Sequence, residues 1–372
     1  MNQSALAINF QSLLSEVQVD KDMEEALQNP SVLRHYINDG VLGLGETYMQ
    51  GQWDTARLDQ FMYHAFTRPG PDYGNRLWLT FILHRMKERL IDAQAGLKAF
   101  NIGREHYDIG NDLFKAMLDK GMSYTGGYWA EAATLEEAQT AKLELICRKL
   151  DLKPGMHILD IGCGWGNFAK YAAENYGVAV TGVTVSKEQA EEATKLCQGL
   201  PVEIKLQDYR SLVGQFDHIV SIEMIEAVGR KNLPVYYSTV ERLLKDNGRF
   251  LLQVISTETC SRRSNRRVDQ FLLWILKYIF PDGYLPKATE LADAGGTKLI
   301  PQAWENFGPD YDKTLMAWGE NFNTYWGALK DNYGEDFKRR WNFYLYSCAA
   351  LFRARLVHLY QIVYSKNTVA GA

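Results

Sequence analysis

Short apolar runs alternate with amphipathic segments from residue 156 onward. Runs typical of buried strands occur at residues 157–161, 178–183, 202–207, 216–223 and 250–256. Segments with helical periodicity lie between them, at 167–176, 187–197 and 233–244. This alternation predicts an α/β fold with a parallel, Rossmann-like sheet and helices on both faces. Later apolar runs at 299–306 and 358–365 complete a predicted set of seven strands, and helices are predicted between them at 314–325 and 337–355.

The residues before the sheet have helical rather than strand-like periodicity. Between residues 31 and 89 the helical pattern is interrupted by glycine and proline clusters, which are typical of turns. An alanine-rich stretch follows and suits a linker. The 372-residue length favours more than one domain, because a single core usually stops growing at about 250–300 residues. We therefore predict a small N-terminal helical domain at 1–90, a linker at 91–105 and a sheet domain at 106–372.

The composition argues against several classes of protein. The formal net charge is −4, from 41 Lys and Arg against 45 Asp and Glu, so no nucleic-acid partner is predicted. The five cysteines are an odd number without paired spacing, which is typical of a reducing compartment rather than of a disulfide framework. The seven histidines are scattered, and no Cys/His set has ligand spacing, so no metal site is predicted.

No targeting or membrane-spanning segment is predicted. Residues 1–20 lack the basic region, apolar block and cleavage site of a secretory signal, so we expect a cytoplasmic protein. The longest apolar segment, residues 271–280, is interrupted by Lys277 and is about half the roughly 20 residues that span a bilayer. It can touch a membrane but cannot cross one. The basic run that precedes it, at 261–267, is either a contact with an anionic membrane surface or a solvated loop.

The most specific motif is the glycine-rich turn after the first predicted strand. Residues 158–166 read ILDIGCGWG, an apolar run followed by Gly162, Gly164 and Gly166. Glycines let the backbone bend sharply and approach a ligand closely. The G-x-G-x-G spacing differs from the dinucleotide-binding G-x-G-x-x-G, and Asp160 can take the charged amino group of a methyl donor. The motif therefore favours S-adenosylmethionine as cofactor, with a tight turn that binds no ligand as the alternative.

Further cofactor contacts are expected at the ends of the next two strands. The second strand normally delivers an acidic residue to the ribose, but here it ends in GVTVS, at 182–186, without a carboxylate. Either Thr184 and Gln189 substitute for that residue, or the ribose is held elsewhere. After the third strand, Asp208 is placed to accept a hydrogen bond from the adenine amino group, unless it is only a solvated turn residue.

Several long motifs in a fixed order carry a family resemblance over nearly the whole chain. They are LGLGETYM at 42–49, HYDIGNDLF at 106–114, KYIFP at 277–281, FGPDY at 307–311 and FRAR at 352–355. With the glycine turn, they make the chain resemble the cyclopropane fatty acid synthases. The resemblance implies a seven-stranded Rossmann-like methyltransferase sheet, and an enzyme that uses S-adenosylmethionine to form cyclopropanes at cis double bonds of unsaturated phospholipid acyl chains. It also implies peripheral association with the inner face of the membrane, and lipid access and homodimer contacts through the N-terminal domain.

The resemblance also implies site residues. Around the donor it places Tyr124, Thr125, Gly162, Gly164, Thr184, Gln189 and Asp208. Members of the family hold a bicarbonate ion as catalytic base with a glutamate, a tyrosine, a histidine, a cysteine and nearby backbone. Glu226 and Tyr311 match the glutamate and the tyrosine, whereas Gly126 stands where many members have the cysteine and Gln253 where the histidine is expected. The Gln253 amide and the Gly126 N–H can still donate to an anion, so we expect bicarbonate in an altered site.

The placement of the catalytic base decides which product forms. Attack of an alkene on the sulfonium methyl leaves a carbocation, and a ring closes only when a base removes a proton from the newly added methyl group. Without a placed base, the cation can shift hydride and lose a different proton, which gives a methyl or methylene branch. Two alternatives therefore stay open: a C-methyltransferase that makes a branched lipid or acts on another apolar alkene, and a non-catalytic lipid- or cofactor-binding relative.

Overall fold

A computed structural model describes residues 21–68, 110–257, 266–281, 283–293 and 298–366. The chain forms two compact units. Of the described residues, the first unit contains 21–68, 266–281 and 326–356, and the second contains 110–257, 283–293, 298–325 and 357–366. Within the described parts of the chain, no helix is both long and apolar enough to cross a membrane.

The second unit is built on one seven-stranded sheet, as the apolar runs predicted. The strands are β1 (His157–Ile161), β2 (Ala179–Thr184), β3 (Val202–Leu206), β4 (Phe216–Ile222), β5 (Leu244–Ser256), β6 (Leu299–Asn306) and β7 (His358–Lys366). Their order across the sheet is β3-β2-β1-β4-β5-β7-β6. Strand β5 begins at Leu244, before the predicted start at residue 250. The sequence pattern missed these first residues because they are mostly polar and exposed.

The direction of β7 differs from the prediction. Strands β1 to β5 pair in parallel, but β7 runs antiparallel to both β5 and β6, so the sheet is mixed rather than parallel. Residues 359–364 of β7 are all buried. A strand buried on both faces has a continuous apolar run whichever way it points, and the pattern therefore does not reveal its direction.

The described helices frame this sheet and build the first unit. They are α1 (Lys21–Gln28), α2 (Pro30–Met49), α3 (Leu58–Thr67), α4 (Asn111–Met117), α5 (Leu135–Leu150), α6 (Asn167–Tyr176), α7 (Lys187–Leu196), α8 (Leu233–Leu243), α9 (Arg266–Tyr278), α10 (Ala288–Asp293) and α11 (Gly308–Arg353). The two helices predicted after β6 belong to α11, which has a non-helical residue at Gly334.

Alternate residues of each strand enter one of two cores. Ile158 packs with the apolar faces of α5 and α6, whereas its neighbour Leu159 packs with α8. This follows from the two-residue period of a strand, which sends successive side chains to opposite faces. The predicted arrangement of helices on both faces of the sheet is therefore present.

The first unit has a compact core of its own. The backbone N–H of Val41 donates to Gln270 Oε1 at 3.1 Å, at a point where Gly40 has a positive φ of 58° and interrupts α2. Trp274 of α9 stacks on Phe271 and lies against Phe343. The described segments 266–281 and 326–356 thus share a unit with the N-terminal helices, although the sequence grouped them with the sheet. The predicted linker at 91–105 lies outside the described residues, and the predicted boundaries stay a prediction.

Candidate active site

The glycine-rich turn connects the end of β1 to the start of α6. The backbone N–H groups of Gly162 and Cys163 both donate to the carbonyl of Val183, at 2.9 and 3.0 Å, which ties the turn to β2. Gly164 has φ +54°, and a Cβ placed there would meet no atom within 4 Å. It therefore lines open space. Gly166 has a different role, because a Cβ there would come within 3.0 Å of Ala193 Cβ, so its small size allows two helices to pack.

A cavity lies at the carboxyl ends of β1, β2 and β4. Eight of the nine residues predicted to contact the cofactor line it: Tyr124, Thr125, Asp160, Gly162, Gly164, Thr184, Gln189 and Asp208. The ninth, Gly166, does not line the cavity and instead lies against Ala193. Open α/β sheets bind ligands in the crevice at this end of the strands, so the location agrees with a nucleoside cofactor.

Asp160 gives the cavity a buried acceptor. The residue is almost fully buried, and its Oδ2 has no hydrogen-bond partner among the described residues. Burial raises the pKa of this carboxyl to about 7, with Lys142 opposing the shift. A buried carboxylate without a donor is costly, and a ligand ammonium group would supply the missing donor. The residues present therefore fit the amino group of S-adenosylmethionine.

Lys142 is a cavity residue that the sequence interpretation missed. Its Nζ donates to Thr125 Oγ1 at 2.7 Å and to Gln139 Oε1 at 2.8 Å, and Gln139 Nε2 donates to the Thr125 carbonyl at 2.8 Å. Burial lowers the pKa of Lys142 to about 8, against the attraction of nearby carboxylates. Together, Lys142 and Gln139 hold Thr125 in place. The only sequence signal was two long polar residues on the apolar side of α5.

Two polar clusters lie where the ribose and adenine were expected. Thr184 Oγ1 donates to Gln189 Oε1 at 2.9 Å, and Ser186 caps the helix that carries Gln189. Asp208 accepts from the backbone and guanidinium of Arg210, and this ion pair holds the pKa of Asp208 below its usual value despite the opposing effect of burial. The expected contacts with the ribose and the adenine of the cofactor remain predictions. Asp208 itself forms an ion pair with Arg210 and is not simply a solvated turn residue.

Three hydrogen bonds converge on Glu223, directly after β4. The backbone N–H of Gly126 donates to Oε1 at 2.8 Å, Gln253 Nε2 donates to Oε1 at 2.7 Å, and the Tyr311 hydroxyl donates to Oε2 at 2.8 Å. Three of the four residues predicted to hold the base are thus brought together, but around a carboxylate that the sequence interpretation treated as the end of a strand. An acidic residue at the carboxyl end of a central strand was the available signal.

The orientation of the Gln253 amide is fixed by a chain of hydrogen bonds. Lys149 Nζ donates to Gln361 Oε1 at 2.7 Å, and Gln361 Nε2 donates to Gln253 Oε1 at 2.8 Å. Because an ammonium group can only donate, it fixes which end of each amide accepts. Gln253 must then present its NH₂ group to Glu223. Lys149 is itself held by the carboxylate of Glu305.

Glu226, the fourth predicted residue, lies apart from this cluster of donors. Its Oε1 accepts from the backbone N–H of Ile255 at 2.6 Å, and its Oε2 is buried without a partner in the described structure. Burial, together with repulsion from Glu223, raises the pKa of Glu226 to about 8. Both effects favour the protonated form of this carboxyl near neutral pH.

The sheet order, the glycine turn after β1 and the cavity at the strand ends define a Rossmann-like methyltransferase, which confirms the predicted fold class. Within that class, the chain belongs to the mycolic acid cyclopropane synthetase family, whose sequence profile matches residues 95–362. The family resemblance deduced from the motifs is thereby confirmed.

Individual relatives support the same assignment. A cyclopropane-fatty-acyl-phospholipid synthase of Escherichia coli (strain K12) is 47% identical over 347 residues, which are 93% of this chain and 88% of that protein. The tuberculostearic acid methyltransferase UfaA1 of Mycobacterium tuberculosis (strain ATCC 25618 / H37Rv) is 32% identical over 354 residues, which are 90% of this chain and 81% of that protein. The crystal structure of mycolic acid cyclopropane synthase CmaA1 with SAH and CTAB is 31% identical, covers 72% of this chain and 98% of that chain, and has a TM-score of 0.68.

Proposed function

We propose that the protein is an S-adenosylmethionine-dependent cyclopropane-fatty-acyl-phospholipid synthase. It adds a methylene group to the cis double bond of unsaturated phospholipid acyl chains. The observation that carries this proposal is one cavity that is lined both by the predicted donor-binding residues and by Glu223, and in which Asp160 Oδ2 has no hydrogen-bond partner among the described residues. The donor side and a carboxylate near the acceptor are therefore available to the same bound molecules.

The chain's own residues supply binding and proton transfer. Asp160 would hold the donor's amino group, Gly164 leaves room for the donor, and Thr184 with Gln189 would face its ribose. S-Adenosylmethionine supplies an electrophilic methyl group to the double bond, and the C–S electron pair stays on sulfur. A base must then remove a proton from the transferred methyl group for the ring to close.

The test is the structure of the product. Purified protein is incubated with vesicles of a cis-monounsaturated phospholipid and methyl-labelled S-adenosylmethionine, and the extracted lipid is examined by proton NMR. We expect label in the acyl chains and the upfield signals of cyclopropane ring protons. Label without those signals would show a branched product, which is the alternative that the relative named as a tuberculostearic acid methyltransferase supports. An unlabelled lipid would reject both forms of the enzyme.

We further infer that the protein meets its lipid as a peripheral protein on the inner face of the membrane. In α9, Leu272, Leu273 and Leu276 are only partly buried, so apolar surface remains for lipid. Within the basic run, Arg267 donates to the carbonyls of Ala65 and Arg68, so its guanidinium is engaged by the protein itself. Residues 261–265 of the run lie outside the described part of the chain. Co-sedimentation with anionic vesicles should occur and should weaken in a Leu272→Ser, Leu273→Ser variant. Unchanged sedimentation of that variant would exclude α9 as the contact.

The homodimer also stays a proposal, supported by the family resemblance alone. Light scattering on the purified protein should give twice the mass of the chain. A monomer mass over the concentration range of the activity assay would exclude it.

A further inference from the structure

We propose that the carboxylate of Glu223 takes the place of the bicarbonate ion that the family resemblance implies, and acts as the base that closes the cyclopropane ring. This inference rests on the proposed function. It starts from the convergence of Gly126, Gln253 and Tyr311 on the two oxygens of Glu223. These are three of the four residues expected to hold the ion.

The donor groups leave little for an external anion. A tyrosine hydroxyl and a backbone N–H each have one hydrogen to donate, and both are directed at Glu223. The Gln253 amide has two, of which one goes to Glu223 and the other to the Gly126 carbonyl at 3.3 Å. A bicarbonate ion beside Glu223 would also place two negative charges together, which is unfavourable. The residues present therefore do not fit a bound bicarbonate.

The backbone at Glu223 shows that its side chain is held in place at a cost. Its φ is +51°, in the left-handed region that non-glycine residues rarely adopt. Backbone strain of this kind is typical of positions where a side chain must be aimed. Glu223 lines the same cavity as the predicted donor-binding residues, which places it beside the expected donor.

The charges around Glu223 suit a base. Lack of solvation raises the pKa of Glu223, and its three donors and the attraction of Lys142 oppose that rise. Burial and repulsion from Glu223 raise the pKa of Glu226 to about 8. Two carboxyls with different surroundings take different protonation states, which is the usual basis for assigning one as the base. Tyr311 has a pKa well above its usual value, and so remains a hydrogen-bond donor.

The proton transfer balances without another reactant. After the new C–C bond has formed, Glu223 accepts one proton from the transferred methyl group. The electron pair of that C–H bond forms the second C–C bond to the cationic carbon and closes the ring. Protonated Glu223 returns its proton to solvent through the cavity when the products leave.

The first test measures binding and needs no turnover. Saturation of the protein with ¹³C-labelled bicarbonate is followed by NMR for the wild type and for Glu223→Gly. Glycine tolerates the left-handed φ at this position, so the variant should fold, and it frees all three donors. We expect no saturable binding by the wild type and binding by Glu223→Gly. Saturable binding by the wild type, with donors shared between Glu223 and the ion, would overturn the proposal.

The second test measures product formation in buffer depleted of bicarbonate. The wild type should retain its activity, whereas Glu223→Gln should lose about 10²- to 10⁴-fold in kcat, the range for removal of a general base, and should still bind S-adenosylhomocysteine. Glu203→Gln removes the same charge at an exposed position of β3 and should behave as wild type. Added formate or bicarbonate should partly restore Glu223→Gly.

The outcomes separate the two proposals. Wild-type activity that falls on depletion and returns with bicarbonate would reject Glu223 as the base while leaving the synthase function intact. A branched product from wild type at all bicarbonate concentrations would reject ring closure. The ¹³C binding result would then still decide whether Glu223 takes the place of the ion.

Discussion

The Tyr311 hydroxyl donates to Glu223 Oε2 at 2.8 Å and joins the first turn of α11 to the end of β4, 88 positions earlier in the chain. The tyrosine ring also lies against Gly126, where a Cβ would come within 2.2 Å of Tyr311 Cδ2. A cysteine at position 126 could not accompany this tyrosine in its present position. The glycine at position 126, where the resemblance implies a cysteine, therefore leaves room for Tyr311 to approach Glu223.

Tyr311→Phe should lower kcat by about 10- to 100-fold, because one hydrogen bond to a charged group contributes about 1.5–3 kcal/mol. The hydroxyl favours the ionised form of Glu223, so its removal raises the pKa of Glu223 further. Activity requires ionised Glu223, and the acid limb of the kcat–pH profile should therefore move to higher pH. Lys142, Glu226 and Gln253 surround the same carboxylate and are unchanged. A lower kcat with an unmoved acid limb would limit Tyr311 to a packing role.

Lys149→Met should change the product rather than the affinity for the donor. Without its ammonium, the Gln361 and Gln253 amides can reverse, and Gln253 would then present oxygen to Glu223. A poorly placed base favours the methyl or methylene branch, so NMR should show a higher fraction of branched product and an unchanged KM for S-adenosylmethionine. Lys149→Arg keeps a donor-only group at this position, so its product should remain the cyclopropane. The matched control, Lys153→Met, removes an exposed lysine paired with Asp151 and should leave the product ratio unchanged.

The sequence predicted the sheet well, because strands β1 to β4 are short segments with apolar or alternating apolar and polar residues and with turns at both ends. The motif also indicated residues that line the cavity, since Asp160, Gly162 and Gly164 lie within five residues of one another and their positions follow from local geometry. The start of β5 and the direction of β7 were not predicted. Those properties depend on pairing with distant strands rather than on local hydrophobicity.

The arrangement around the base could not be predicted in the same way. Glu223 contacts residues that are 30, 88 and 97 positions away, and no spacing in the chain reveals those contacts. The resemblance brought attention to Gly126, Gln253 and Tyr311 as altered or retained members of an anion site. It gave no role to Glu223, because this position is not part of the base site that the resemblance implies.

Gly164→Val should abolish donor binding. A valine side chain there would occupy the space that the cavity offers to the ligand, and calorimetry should show a loss in affinity for S-adenosylhomocysteine of about 100-fold or more, equal to about 2.7 kcal/mol. Valine at a positive φ is strained by about 1–2 kcal/mol, so stability alone would be a poor readout. Gly214→Val is the matched control, since Gly214 also has a positive φ and an open Cβ position but lies outside the cavity. Equal binding by both variants would place the donor elsewhere.

Donor affinity should depend on pH through Asp160. Its pKa in the folded protein, about 7, is above the usual 3.8, so the ligand-free protein loses stability as pH rises through that range and the carboxylate forms without a donor. A ligand ammonium group pairs with the ionised form only. The stabilisation by S-adenosylhomocysteine, measured as a rise in Tm, should therefore grow with pH, with affinity about tenfold weaker for each pH unit below 7.

Asp160→Asn should remove this pH dependence, because an amide does not titrate. Lys142 is the charged group that faces Asp160, and it keeps its proton over the lower part of the range because its own pKa is about 8. Measurements between about pH 5.5 and 7.5 therefore follow Asp160 with least interference. A wild-type affinity that is constant over this range would show that Asp160 does not bind the amino group.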